Sequence, residues 1–140
     1  MKKVFKFLSA AAILSLTFTS VSASEFADLD VKKECNVKAN GIEKVIETAE
    51  KYNKIAKEHK VEFMRLGMKN TQYIEGVQEA LKSASKEVAI LDEKAKPTGE
   101  KVSVEFAAWR SCSFAISALT QEAQAKTTWK LASPSDGYKY

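Results

Sequence analysis

The chain has 140 residues, with 22 Lys+Arg against 18 Asp+Glu, one histidine and two cysteines. That length holds one domain with one modest core. One histidine and two cysteines give neither a paired-His zinc spacing nor a Cys-x-x-Cys-His for covalent haem, so no cofactor and no metal site are expected.

The first residues, Met1 to Lys6, are short and cationic, and an uncharged apolar stretch follows from Phe7 to Phe18. Thr19 to Ala23 are small or compact, with Val21 and Ala23 at the spacing signal peptidase reads. The apolar run is shorter than the roughly 18–20 residues that span a bilayer. Residues 1–23 are therefore read as a cleaved secretory signal of bacterial type. No cysteine follows the apolar run directly, so a lipoprotein anchor is not expected. The mature protein is read as periplasmic or secreted, with no stable membrane anchor.

Cleavage also removes most of the charge excess. Lys2, Lys3 and Lys6 leave with the signal and no acid does, so 22 Lys+Arg against 18 Asp+Glu becomes 19 against 18. The basic and acidic residues that remain alternate and form no stripe, so nucleic acid is not an expected partner.

Cys35 and Cys112 remain after cleavage. An even count in an oxidising compartment predicts that they join. A loop this long stabilises the fold by about 4–5 kcal/mol in the chain-entropy view.

From Ile42 the apolar or semi-apolar positions are Ile42, Val45, Ala49, Tyr52, Ala56, His59, Phe63 and Leu66, at alternating spacings of three and four. This predicts a helix of about seven turns. Asn40 with Glu43 suggests a capping box at its start, and Gly67 a stop. A second stripe uses Tyr73, Ile74, Val77, Leu81, Ala84, Val88 and Leu91, with Asn70 or Thr71 as cap. Lys96-Pro97-Thr98-Gly99 ends it. A third uses Val102, Phe106, Trp109, Cys112, Ile116, Leu119 and Ala123.

The expected fold is all-α: an up-down-up bundle of three long helices with a short N-terminal element, tied by one disulfide. The rival is one unbroken helix over 41–95, a rod of roughly 80 Å, with the disulfide between chains. In the bundle, residues 35–41 must double back for Cys35 to reach Cys112, and Phe26 and Leu29 are expected to pack as part of the short element. The domain is expected over residues 24–132, with a flexible tail over 133–140.

His59 is read as a core or core-edge residue. Met64 and Met68 lie about 140° and 180° from it around a helix, which excludes a His/Met haem pair. The close acid pairs Asp28/Asp30 and Asp92/Glu93 read as solvated surface, and the scattered glycines make no phosphate loop. No catalytic residues are assigned. Val61, Met64 and Met68, off the core stripe, and Arg110 are candidates for a partner-binding surface. Trp109 is expected on the core stripe beside the disulfide.

The leading expectation is a monomeric, non-enzymatic protein that binds another protein, as an inhibitor, immunity protein, chaperone or assembly factor. The alternative is a carrier of a small apolar or haem-like ligand in a cavity lined by Tyr52, His59, Phe63, Tyr73 and Trp109. Mass analysis of the exported protein is expected to find Ser24 at the N-terminus; an intact Met1 would contradict cleavage.

Overall fold

The computed structural model describes residues 26–132, with side chains through residue 128. The signal assigned to 1–23 and the tail assigned to 133–140 lie outside the described residues. Two one-turn helices come first, α1 (Val31–Glu34) and α2 (Val37–Asn40), followed by α3 (Ile42–Glu58). A small hairpin of β1 (Met64–Arg65) and β2 (Met68–Lys69) leads into α4 (Asn70–Lys82). A second hairpin, β3 (Glu87–Leu91) and β4 (Pro97–Ser103), leads into α5 (Val104–Ala132).

The described residues are therefore not the all-α three-helix bundle that periodicity predicts. They hold five helices and two antiparallel two-stranded sheets. The first predicted helix is too long because α3 ends without glycine. Lys60 takes a left-handed φ of 62°, and the Val61 and Lys60 N–H groups bond back to Ala56 O at 2.8 Å and Lys57 O at 3.0 Å. That is a Schellman stop. Helix α4 ends the same way, with Ala84 at φ 52° and Ser85 N–H bonded to Ala80 O at 2.8 Å. Neither stop uses the residue that signals one.

Beyond Ala84 the predicted helical stripe is a strand. Glu87 and Ala89 are exposed while Val88 and Ile90 are buried, which is the two-residue alternation of a sheet with one covered face. Within the turn, the Asp92 carboxylate accepts from Lys94 N at 2.8 Å and Lys96 N at 2.9 Å. This is a side-chain turn, not a helix end. Val102, assigned to the third helix, lies in β4. Pro97 and Gly99 lie within β4 too, with Pro97 at its first position, where a missing N–H is tolerated.

The N-terminal caps are specific. Asp30 accepts from Lys32 N and Lys33 N to start α1, and Asn36 accepts from Ala39 N to start α2. Asn40 does not cap α3. Its amide donates to Lys33 O at 2.8 Å and Glu34 O at 3.2 Å, closing α1 onto α2. Glycine takes the junction: Gly41, at φ 81°, lies between α2 and α3.

Helix α3 packs against α5 in the same chain sense. Ala56 lies with Ala118 and Leu119, and His59 meets Glu122. The buried residues of the two helices include both small and large side chains, among them Val45, Ile46, Ala49, Ala56, Ala107, Ala108, Ala115, Ile116, Ala118 and Leu119. Trp109 is turned outward and 45% exposed, not part of the core stripe.

Cys35, between α1 and α2, is bonded to Cys112 of α5, with Cα atoms 5.6 Å apart and a sequence separation of 77. Both are fully buried. The bond lies within one chain, which rules out the long-rod alternative. Phe26 and Leu29 cover Ala56, Leu119 and Val61 at the far end of α3. The chain-entropy estimate for a loop of this length is about 4.5 kcal/mol. Cys35→Ser or Cys112→Ser is expected to lower the melting temperature by well over 10 °C; a melting curve that matches the wild type would contradict a stabilising crosslink.

Candidate functional site

The first hairpin is the least ordinary piece of the surface. Its turn is Arg65-Leu66-Gly67-Met68, and both central residues have positive φ, 51° at Leu66 and 86° at Gly67. Two-residue turns of this kind normally take Asn-Gly or Asp-Gly, because a branched apolar residue at the first position is strained. Leu66 is also 81% exposed, and Met64 is 60% exposed. Leucine therefore violates two local preferences at once.

The hairpin is braced at Phe63, Gly67 and Met68, which leaves the Leu66 side chain outward. Gly67 lies against the turn of the second hairpin: a Cβ there would lie 2.6 Å from Glu93 N and 2.8 Å from Glu93 Cα. Contact with backbone cannot be relieved by turning a side chain, so only glycine fits. Met68 points inward, 1% exposed, and its sulfur accepts from Leu91 N at 3.4 Å. Phe63 stacks on Phe114 of α5 with ring centroids 5.1 Å apart, and its carbonyl accepts from Asn70 N at 2.9 Å.

A polar network holds the base. Asn70 is fully buried at the first turn of α4, and its amide nitrogen donates to Asn53 Oδ1 at 3.0 Å and Ser111 O at 2.9 Å. Asn53, 3% exposed on α3, donates in turn to Glu62 at 3.2 Å and to Thr71 Oγ1 at 3.1 Å. Glu62 also accepts from the Thr71 N–H at 2.7 Å and from its hydroxyl. The amides and hydroxyl thus converge on the carboxylate just before the hairpin. Burial works to raise the Glu62 pKa, but the Thr71 and Asn53 hydrogen bonds and the nearby Lys57 charge outweigh it, and the net effect is a lowered pKa.

The residues singled out in the sequence are dispersed. Val61 is half-buried beside Phe26, Met64 is exposed at the hairpin and Met68 is beneath it. The three do not form one outer helical stripe, because they lie beyond the end of α3. Arg110 is half-buried, its guanidinium 4.5 Å from the Phe106 ring centre and 5.7 Å from that of Phe114, with an Nη1 donor 3.4 Å from the Tyr73 hydroxyl. His59 follows the end of α3, its Nδ1 2.6 Å from the Glu122 carboxylate and its ring edge-on to Phe26. Of the proposed cavity residues, Tyr52 and Phe63 pack in one small cluster. Tyr73 reaches Phe63 only through Phe114, and Trp109 lies beside Phe106 on the outer side of α5.

Among the described residues, no group of three His, Cys, Asp or Glu is arranged to hold a metal ion, and no helix is long and apolar enough to cross a membrane. No family model, curated protein or solved structure matches this chain.

Leu66, the most exposed large apolar residue of the site, fits a helix stripe in the sequence. The available signal was the Leu-Gly pair between Met64-Arg65 and Met68-Lys69, a two-residue turn disguised by an apolar first position.

The lowered pKa of Glu62 has a definite sign in stability. Its folded value lies below the ordinary 4.5, so the stabilisation is fully present above that value and is lost as pH falls through the folded value. Wild type is therefore expected to lose melting temperature more steeply than Glu62→Gln on acidification below about pH 4.5. Parallel slopes would contradict the network as drawn.

Proposed function

We propose that this is an exported, non-enzymatic binding protein that places the tip of its first hairpin in an apolar cleft of a partner protein, as an inhibitor or immunity-type protein does. The observation that carries this reading is Leu66. Its backbone is strained, its side chain is 81% exposed, and the hairpin beneath it is fixed by Gly67, Met68 and the Glu62 network. Local strain and exposure of this kind are retained where they serve a site. A prefixed knob also binds without the entropic cost of ordering a loop. Arg65 and Lys69 flank the tip and favour an acidic rim around the partner's cleft.

Export is supported by the three-part leader in the sequence and by the buried disulfide, which persists in an oxidising compartment. The periplasm and the exterior both satisfy this, and the monomer remains the expected state.

Leu66→Asn places a residue suited to left-handed φ at the turn. It is expected to raise stability by about 1 kcal/mol while weakening partner binding at least tenfold. The partner is first identified as a protein captured by wild type, without reference to the variant, then purified for titration against both. A variant that binds its purified partner as tightly as wild type would overturn the reading.

A further inference from the structure

A second surface lies on the other hairpin. Strands β3 and β4 pair only with each other among the described residues, so each has an open edge. The hydrogen bond from Val104 N to Lys86 O at 3.0 Å, with the register Val88↔Val102 and Ala89↔Lys101, fixes which groups face outward. In an antiparallel ladder the direction alternates residue by residue. Lys86 and Val88 turn toward β4, and Glu87, Ala89 and Leu91 turn away from it. The side-chain bonds agree: Ser85 Oγ accepts from Glu87 N at 3.2 Å and donates to Glu87 O at 2.9 Å, and Leu91 N reaches the Met68 sulfur. Both ends of the edge are occupied. Between them Ala89 is exposed, and its N–H and C=O have no partner among the described residues.

That edge borders a groove of about 600 Å³ against α4, lined by Gln72, Glu75, Gly76 and Glu79 on the helix and by Glu87 and Ala89 on the strand. Gly76 permits the arrangement, because a Cβ there would come within 2.7 Å of Val88 Cγ1 and push the strand off the helix. No basic side chain lines the groove, and three carboxylates do. Glu87 is paired with Lys101 at 3.3 Å, while Glu75 and Glu79 have no ion pair among the described residues.

We propose that this groove takes an extended, basic segment of another polypeptide, which adds to β3 as a third strand through Ala89. Main-chain bonds at an open edge supply the register, and alternate side chains of the added strand face the flanking surface. Here that surface is the acidic face of α4, so the inward positions of the occupant are Lys or Arg. The site is separate from the Leu66 tip and does not depend on it.

The test titrates the mature protein with two synthetic heptapeptides, Lys-Thr-Lys-Val-Lys-Thr-Lys and its Glu-for-Lys counterpart, followed by amide NMR. The basic peptide is expected to bind, to shift and protect the Ala89 amide, and to lose at least tenfold in affinity with Ala89→Pro. Proline is tolerated where a strand N–H faces outward, and circular dichroism checks the fold. Glu75→Lys with Glu79→Lys is expected to cause a loss of the same size without touching the strand, and Leu66→Asn none. Absence of binding, equal binding of the acidic peptide, or binding unchanged in both variants would overturn the proposal. So would concentration-dependent dimerisation that Ala89→Pro abolishes, because the occupant would then be a second copy.

Discussion

The structure turns on one buried amide. Asn70 is fully enclosed, and its two donated hydrogen bonds join the first turn of α4 to Asn53 on α3 and to the Ser111 carbonyl on α5. A buried donor left unmatched costs about 1–3 kcal/mol, so sliding any of the three helices is penalised. Asn53 passes the constraint on to Thr71 and Glu62. The residue that registers the helices thereby also fixes the chain that enters the first hairpin. The disulfide acts at another point, fastening the segment between α1 and α2 to α5. The two constraints fasten the scaffold from which the hairpin tip projects.

Where α3 meets α5 the buried side chains are of mixed size, Ala56 lying with both Ala118 and Leu119. Phe106 and Trp109 lie on the outer side of α5, and Arg110 is held over the rings of Phe106 and Phe114. Phe63 completes this aromatic row from the hairpin side. Arg110 is thus an internal tie between α5 and Tyr73 of α4 more than a free surface cation.

The helical periodicity was legible for α3 through Ala56 and for α4 from Tyr73 to Val77, because those faces do meet a core. The cysteine pair was legible from count and compartment. Three things were not. Helix ends at Lys60 and Ala84 use left-handed residues other than glycine, and no residue type announces them. Val88 and Leu91 lie three apart, which fits a helix as well as a strand; only Ile90 between them, buried, distinguishes the two. On α5 the predicted stripe holds from Cys112 through Ile116 and Leu119 to Ala123, all buried, but not at Trp109, which is 45% exposed while the small neighbours Ala107 and Ala108 are buried. The hairpin site was hidden for a related reason: Leu66 fits an apolar stripe until the backbone shows that it stands at a turn.

The central claim is that the Leu66 tip is held ready for a partner. The most direct measurement is the backbone order parameter of Leu66 and Gly67 by NMR relaxation in the free mature protein. The braced hairpin predicts values near about 0.85, equal to the helices. Values below about 0.6 would show a mobile loop and contradict the account.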